Sequence, residues 1–215
     1  MNARMIRVML VDDHSVVRAG YRRLLEQTQD IKVAAEAASG EEAYAQIKAV
    51  EIDVVVMDLA MAGMGGLEAI RRILARAPAV RVLVFSMHTG AAFARNALKA
   101  GALGYVTKVS EPALLVQAVR SVSEGRVFLS PDIAHATALD TLTGESDPMK
   151  LLSTREFEIF RKLASGASLR DIARALNLSQ KTVANNYTQI RQKLDLKSDV
   201  ELVRLALRYS IVDID

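Results

Sequence analysis

The segment VVVMDLAMAGMGG, residues 54–66, decides the fold of this chain. Its apolar run ends on the carboxylate of Asp58, and a loop that contains glycine follows at once. An unpaired charge is costly to bury, so this carboxylate is expected to face a cation, a solvated cleft or a chemical task. The sequence on either side has to supply that partner.

Short β-rich runs alternate with segments of helical period throughout the first half of the chain. The helical segments open near His14, Ser39, Gly66, Ala91 and Ser110. Five consecutive βα units predict an α/β fold, with a doubly wound parallel sheet and helices on both faces. The strand candidates are residues 6–11, 32–37, 53–58, 81–86 and 103–107.

The second half of the chain differs in pattern. Residues 129–149 are rich in proline, glycine, serine and acidic residues without a firm period, and they predict a linker. After the linker, four short helical segments begin at Ser153, Ser168, Ser179 and Ser198. The predicted organisation is a domain of residues 1–128, a linker of residues 129–149 and a small all-helical module of residues 150–215.

Composition favours a globular protein whose two halves differ in charge. The chain of 215 residues contains no cysteine, which excludes disulfides and thiolate metal sites. No apolar run is long enough to span a bilayer, so we expect a cytoplasmic protein with no membrane partner. Residues 149–215 carry 12 basic and 8 acidic side chains, a net charge of +4, whereas residues 1–148 carry 16 and 17, a net charge of −1. The basic tail points to a polyanionic partner.

Five polar residues lie where the predicted strands end. In a parallel sheet, ligands bind outside the carboxyl ends of the strands. Carboxylates that gather there repel one another unless a divalent cation lies among them, and oxygen ligands beside an ammonium suit Mg²⁺ with a phosphoryl group. The polar residues are Asp12, Asp13, Asp58, Ser86 and Lys108.

The same positions resemble the flavodoxin-like receiver domains of two-component response regulators. The segments MLVDDHSVVRAGYRRLL, VVVMDLAMAGMGGLEAIRRI and VLVFSMH...GALGYVTK carry the resemblance in the expected order and spacing. It implies that a sensor histidine kinase phosphorylates Asp58, and that Asp12 and Asp13 hold Mg²⁺ with the Asp58 carboxylate and the Ala60 backbone carbonyl. It further implies that Ser86 and Lys108 bind the phosphoryl oxygens, and that Tyr105 turns inward on activation.

The tail resembles a LuxR-type helix-turn-helix of the NarL/FixJ class, through the segment LSTREFEIFRKLASGASLRDIARALNLSQKTVANNYTQIRQKLDLKS. Its helix from Gln180 to about Leu194 has one apolar stripe and a polar, basic face suited to the major groove of promoter DNA. Asn186 stands where the family usually has histidine. The predicted DNA contacts are Lys181, Thr182, Ala184, Asn185, Asn186, Thr188, Arg191 and Lys193, with phosphates assigned to Lys181, Arg191 and Lys193.

The last helical segment, SDVELVRLALRYSI, carries a second apolar stripe. The resemblance implies that this helix forms a homodimer on activation or on DNA binding, through Val203, Ala206, Leu207 and Ser210. Burial in the core of a single module explains part of the stripe equally well.

Three functions are compatible with these features. The preferred one is a transcription factor controlled by phosphorylation of Asp58, whose only catalysis is phosphorylation from small phosphodonors and slow self-hydrolysis. The second is a phosphorylation-independent DNA-binding regulator with a receiver-like domain for dimerisation or ligand sensing. The third is a Mg²⁺-dependent phosphohydrolase with Asp58 as nucleophile, although neither a general acid near Asp58 nor a substrate-covering cap is evident in the sequence.

Overall fold

The computed structural model describes residues 4–61, 63–142, 147–209 and 211–212. The strands are β1 (Ile6–Val11), β2 (Ile31–Ala37), β3 (Val54–Met57), β4 (Arg81–Ser86), β5 (Gly104–Thr107) and β6 (Phe128–Leu129). The helices are α1 (Ser15–Glu26), α2 (Gly40–Gln46), α3 (Gly66–Arg76), α4 (Ala91–Lys99), α5 (Pro112–Ser123), α6 (Pro131–Leu142), α7 (Thr154–Ala164), α8 (Leu169–Leu176), α9 (Gln180–Lys193) and α10 (Asp199–Arg208), with a 3-10 helix at Pro148–Leu151.

The six strands form one parallel sheet in the order β2-β1-β3-β4-β5-β6. Strand β3 lies between β1 and β4 and is buried along its whole length, which is why residues 54–57 are a continuous apolar run. Successive side chains of a strand point to opposite faces. One face therefore packs on α2, α3 and α4, and the other packs on α1 and α5. This confirms the predicted doubly wound α/β fold and adds a short sixth strand.

The predicted linker, residues 129–149, contains regular structure that the sequence pattern did not indicate. Its helix α6 packs against α4 and β5. The Thr107 hydroxyl donates to Oδ2 of Asp132 at 2.7 Å, and Nη1 of Arg95 donates to Oδ2 of Asp140 at 3.0 Å. Helix α6 has only a weak apolar stripe, and these polar contacts contribute to its docking. The expectation of an irregular segment is corrected, while the domain boundaries stay predictions.

Four helices, α7 to α10, form the C-terminal module. Each of the four begins where the sequence predicted, because the hydroxyl of Ser153, Ser168, Ser179 or Ser198 accepts a hydrogen bond from a backbone amide in the first turn. The turn between α8 and α9 passes through Asn177, whose φ of 54° lies in the left-handed region that asparagine tolerates.

A continuous hydrophobic cluster joins the N-terminal domain to the C-terminal module. It includes Met57 of the sheet, Ile70 of α3, Phe93 of α4 and Phe157 of α7. Residues 154 and 156–160 of α7 are all buried, which a helix exposed on one side would not show. Helix α7 is therefore packed between its own module and the N-terminal domain. Within the described ranges, no helix is both long and apolar enough to cross a membrane.

Candidate functional site

Lys108 bridges the carboxylates of Asp12 and Asp58 at the carboxyl edge of the sheet. These residues directly follow β5, β1 and β3, so the parallel sheet brings them together. Nζ of Lys108 lies 2.5 Å from Oδ2 of Asp12 and 2.7 Å from Oδ2 of Asp58. Asp58 is only 3% exposed and Asp12 only 6%. The carboxylate that ends the apolar run of β3 therefore faces a cation, as its burial requires.

The charge of Lys108 is secured by its two partners. Burial lowers the pKa of the Lys108 ammonium, but the hydrogen bonds and negative charges of Asp12 and Asp58 outweigh burial, and the pKa lies above its usual 10.5. The lysine is therefore a permanent cation in the physiological range. Three buried or half-buried charges together leave the site net negative, which favours a further cation.

Asp13 and His14 extend this acidic cluster towards solvent. Ligand atoms of Asp12, Asp13 and His14 lie within 4.8 Å of one another. Nδ1 of His14 lies 2.8 Å from Oδ1 of Asp13, and the His14 backbone amide donates to Oδ1 of Asp12 at 2.8 Å. The carboxylate oxygens of this cluster are the ligand type that Mg²⁺ prefers, so the residues present fit that ion.

The loop after β3 approaches Asp58 with its backbone. The Ala60 amide donates to Oδ1 of Asp58 at 3.2 Å. This contact uses the amide of Ala60, and the assignment of its carbonyl to a metal ion stays a prediction. A Cβ atom on Gly66, the first residue of α3, would lie 2.3 Å from the backbone oxygen of Asp58. Glycine at position 66 is therefore required by the close approach of α3 to β3.

Ser86 and Tyr105 lie on the neighbouring strands β4 and β5, and both are fully buried. The Ser86 hydroxyl accepts a hydrogen bond from the His88 amide at 3.4 Å, and the Tyr105 hydroxyl donates to the His88 carbonyl at 2.9 Å. Burial raises the pKa of the Tyr105 phenol, which keeps it a neutral donor. The structure thus holds Tyr105 in an inward position.

A row of rings connects Tyr105 to the C-terminal module. The His88 ring stacks on Phe93, with 3.9 Å between centroids and 3° between planes. Phe93 in turn meets Phe157 of α7 edge to face at 5.3 Å. Because His88 also accepts the Tyr105 hydroxyl, the switch candidate and the module belong to one contiguous packing chain.

The polar face of α9 remains accessible while α7 is packed on the N-terminal domain. Lys181, Thr182, Asn185 and Thr188 are exposed, and Ala184 and Asn186 are partly exposed. The Asn186 side-chain amide donates to the Thr182 carbonyl at 2.8 Å and so bonds within its own helix. The predicted reading face is thus presented to solvent.

Two residues predicted to bind phosphates have other partners. Nη2 of Arg191 donates to the Lys197 carbonyl at 2.7 Å, and Nζ of Lys193 lies 2.7 Å from Oε2 of Glu156. Because Glu156 is only 4% exposed, Lys193 neutralises a buried charge. Arg191 and Lys193 therefore also hold the module together, and their assignment to phosphates of DNA stays a prediction.

The predicted dimerisation stripe on α10 divides between core and surface. Ala206 is 0% exposed and Val203 is 36% exposed, while Leu207 is partly exposed. A side chain that is already fully buried has no surface left to offer a second copy, so the assignment of Ala206 to a dimer interface is wrong. Ser210 lies outside the described residues. Val203 and Leu207 remain candidates.

Sequence reasoning missed a charged contact between α3 and α7. Oε1 of Glu158 accepts a hydrogen bond from the Glu68 amide at 3.1 Å and so caps α3, whose N-cap Gly65 has no side chain. Nη2 of Arg155 lies 2.9 Å from Oε2 of Glu68. The two partners of the cap are 90 residues apart in sequence, and no local pattern could have paired them.

Comparison with known families agrees with this geometry. Residues 8–120 match the model of the response regulator receiver domain, and residues 150–206 match the model of the luxR family of bacterial regulatory proteins. The chain therefore belongs to the NarL/FixJ class of two-component response regulators, transcription regulators with a receiver domain and a LuxR-type DNA-binding domain.

Relatives of this class match almost the full chain. UvrY of Escherichia coli strain K12 is 40% identical over 209 residues, which cover 96% of each protein. GacA of Pseudomonas aeruginosa is 38% identical over 211 residues, 97% of this chain and 99% of GacA. Both are response regulators.

Solved structures extend the likeness to three dimensions. RcsB of Salmonella enterica serovar Typhimurium, bound to the promoter P1flhDC with the phosphomimetic BeF₃⁻, is 25% identical and covers 93% of this chain and 97% of its own, with a TM-score of 0.76. A LuxR-family response regulator from Aurantimonas sp. SI85-9A1 is 51% identical over 64% of this chain and 99% of its own, with a TM-score of 0.63.

Proposed function

We propose that a sensor histidine kinase phosphorylates Asp58 and that this phosphorylation controls dimerisation and promoter binding by the C-terminal helix-turn-helix. The observation that supports it best is the bridge of Lys108 between the buried carboxylates of Asp12 and Asp58. The domains of this switch are a receiver of residues 1–128, a linker of residues 129–149 and a DNA-binding domain of residues 150–215. Its place is the cytoplasm, where promoter DNA is available.

The Asp58 carboxylate is the nucleophile of the proposed reaction. Its oxygen forms a bond to the phosphorus of the donor in line. The bond from phosphorus to the leaving group breaks: this is the phosphorus–nitrogen bond of a phosphohistidine in the kinase, which leaves as imidazole, or the phosphorus–oxygen bond of an acyl phosphate used as a small donor. The Lys108 ammonium stabilises the negative charge on the phosphoryl oxygens during transfer, since it already lies 2.7 Å from the attacking carboxylate. Slow hydrolysis of the acyl phosphate returns the carboxylate. Small phosphodonors are expected to substitute for the kinase.

Mg²⁺ is the cofactor that this site would hold, through Asp12, Asp13, Asp58 and the Ala60 carbonyl. When bound, the ion neutralises negative charge on the phosphoryl group during transfer. Support comes from the clustered oxygen ligands of Asp12 and Asp13 beside the buried Asp58.

Ser86 and Tyr105 are the proposed switch residues. Both are buried next to the site, and both contact His88. The Ser86 hydroxyl binds a phosphoryl oxygen, while Tyr105 occupies the inward position that belongs to the activated state. A local change of charge at Asp58 thereby biases an element with two positions.

Promoter DNA is the proposed partner of α9. The exposed polar face fits a major groove, where Asn185 reads a base edge and Lys181 binds a phosphate. The Ala184 methyl group offers an apolar contact and Thr188 a hydroxyl. Thr182 lies in the first turn of α9 and Asn186 near its middle. Arg191 and Lys193 are the further proposed phosphate contacts. A homodimer through Val203 and Leu207 of α10 fits an operator with two-fold symmetry.

The test compares wild type with Asp58→Ala, in the presence of Mg²⁺ and a small phosphodonor or BeF₃⁻. Intact mass after treatment with the phosphodonor, self-association and duplex binding are measured on the same samples, and Glu124→Gln, which changes an exposed carboxylate, is the matched control. We expect wild type and the control to gain one phosphoryl group and to change their association or DNA affinity by more than tenfold, about 1.4 kcal/mol. If Asp58 never reacts and all three proteins bind DNA alike, the proposal fails.

A further inference from the structure

One side of α7 faces the receiver. The Phe157 ring meets Phe93 of α4, and Oε1 of Glu158 accepts the Glu68 amide of α3 at 3.1 Å. Residues three and four positions apart share a side of a helix. Arg161 follows Glu158 by three positions and Phe157 by four, so it lies on the side of α7 that faces the receiver.

The residue after Arg161 contacts the loop that carries the phosphoacceptor. Nζ of Lys162 donates to the Gly63 carbonyl at 3.4 Å. Gly63 lies in the segment between Asp58 and the start of α3. The C-terminal half of α7 therefore contacts the loop that follows Asp58.

The charge of Arg161 lies within electrostatic range of that site. Burial lowers the pKa of the Arg161 guanidinium, while the negative charges of Glu158 and Asp58 oppose this effect, and the Tyr105 phenol also interacts with it. Among the described residues, the guanidinium forms no hydrogen bond or ion pair. A partly desolvated cation without an acceptor is unfavourable, and the nearby Asp58 carboxylate is already bound by Lys108.

We propose that Arg161 binds an oxygen of the phosphoryl group on Asp58, so that the DNA-binding domain completes the phosphoryl site of the receiver. This proposal rests on the phosphorylation of Asp58 proposed above. Phosphorylation replaces one carboxylate charge by a group of roughly two negative charges. Lys108 is shared between two carboxylates, and a planar guanidinium is the side chain best matched to phosphoryl oxygens.

The coupling has a reciprocal consequence. If Arg161 strengthens the binding of a phosphoryl group, the phosphoryl group must strengthen the packing of α7 on the receiver by the same factor. The reading face of α9 stays exposed in this packed arrangement. Phosphorylation thus fixes the orientation of the DNA-binding domain without covering α9.

The experiment uses full-length wild type, Arg161→Gln and Arg161→Lys. The control is Arg170→Gln, an exposed cation of the same domain on α8. Calorimetric titration with BeF₃⁻ at saturating Mg²⁺ gives the affinity for a phosphoryl mimic, and titration with Mg²⁺ alone tests whether the acidic cluster is intact. We expect Arg161→Gln to bind BeF₃⁻ roughly fivefold to tenfold more weakly, with unchanged Mg²⁺ affinity, as expected for loss of one charge-assisted hydrogen bond. Arg161→Lys should recover part of the loss and Arg170→Gln should behave as wild type.

A second measurement needs no variant. In wild type, BeF₃⁻ should slow the exchange of backbone amide hydrogens in α7, because the mimic strengthens its packing on the receiver. If wild type and Arg161→Gln bind BeF₃⁻ equally well, the role of Arg161 is overturned. Unchanged amide exchange in α7 overturns it as well. Either result stands even when Asp58→Ala abolishes BeF₃⁻ binding and so supports Asp58 as the phosphoryl site. Failure of wild type itself to bind BeF₃⁻ overturns both proposals.

Discussion

At the scale of single residues, the position of Asp58 is fixed by the groups that contact its side chain and its backbone. The Asp58 carboxylate is almost fully buried, and it is tolerated because the ammonium of Lys108 and the amide of Ala60 both donate to it. Its backbone is equally constrained, since Gly66 packs against the Asp58 carbonyl. Both the side chain and the backbone of Asp58 are therefore fixed before any phosphoryl group arrives.

Replacement of Gly66 by alanine tests the backbone constraint. The new Cβ would lie 2.3 Å from the Asp58 oxygen and 2.7 Å from the Leu59 Cα, and these backbone atoms cannot move aside cheaply. We expect Gly66→Ala to lower the free energy of unfolding by about 3 kcal/mol, measured by chemical denaturation. The matched control is Gly20→Ala in α1, where a Cβ meets nothing within 4 Å and alanine should stabilise the helix by about 0.5–1 kcal/mol. Equal effects of the two substitutions would contradict this explanation.

At the scale of elements, local signals set the helix starts while tertiary contacts set the rest. The capping serines of α7 to α10 were predictable because a hydroxyl and a first-turn amide are close in sequence. Helix α6 was not predicted, because Thr107 and Arg95, which hold its acidic side chains, lie far away in the chain. The parallel sheet with helices on both faces followed from the βα alternation, but β6 is too short to leave a pattern.

The capping box of α7 provides a test at this scale. The Ser153 hydroxyl accepts the Glu156 amide at 3.3 Å, and Oε2 of Glu156 accepts the Ser153 amide at 2.7 Å. Ser153→Ala leaves the Glu156 amide without its acceptor, so we expect a loss of about 1 kcal/mol in the free energy of unfolding. Ser123→Ala is the control, because its exposed hydroxyl donates to a carbonyl of its own helix, and it should change stability by less than about 0.5 kcal/mol. Identical denaturation curves for Ser153→Ala and wild type would refute the cap's contribution.

For the whole molecule, the main feature that sequence patterns left unpredicted is the packing of α7 on the receiver. The clustering of polar residues at the carboxyl edge of the sheet was predictable because a parallel sheet brings its strand ends together at one edge. The contact between Glu158 and the start of α3 joins two surfaces that are each unremarkable in sequence. Their pairing depends on the full tertiary arrangement.

Glu158 makes this packing dependent on pH. Burial raises the pKa of Glu158 to about 7, although Arg71, Arg161 and Arg155 act to lower it and Glu68 adds to the rise. The packed state therefore binds more protons than an unpacked state in which Glu158 has its ordinary pKa of 4.5. The contribution of Glu158 to the free energy of packing α7 on the receiver is fully present below pH 4.5 and is lost as pH rises through about 7. The slope of this loss is at most about 1.4 kcal/mol per pH unit.

The measurement uses the absence of cysteine from the chain. Cysteines at Val16 of α1 and Val200 of α10, which are 84% and 60% exposed, accept a pair of fluorophores. Energy transfer should decrease between pH 5 and pH 8 in the labelled parent and remain level in Glu158→Gln, which keeps the shape of the side chain without its titration. Glu124→Gln, an exposed carboxylate, should follow the parent. An unchanged pH profile in Glu158→Gln would assign the dependence to another group.

The shared hydrophobic cluster and the Glu158 cap also bear on how such chains can recombine. A receiver and a DNA-binding domain are separate stretches of sequence, so recombination between the genes of related regulators can exchange one without the other. Here the start of α3 is completed by a carboxylate from α7, and Phe93 of α4 is covered by Phe157. A hybrid that takes its two domains from different parents keeps these contacts only where the second parent supplies an equivalent carboxylate and aromatic ring. Because each surface constrains the other, the contacting residues of α3, α4 and α7 have to be exchanged together, although they belong to two domains.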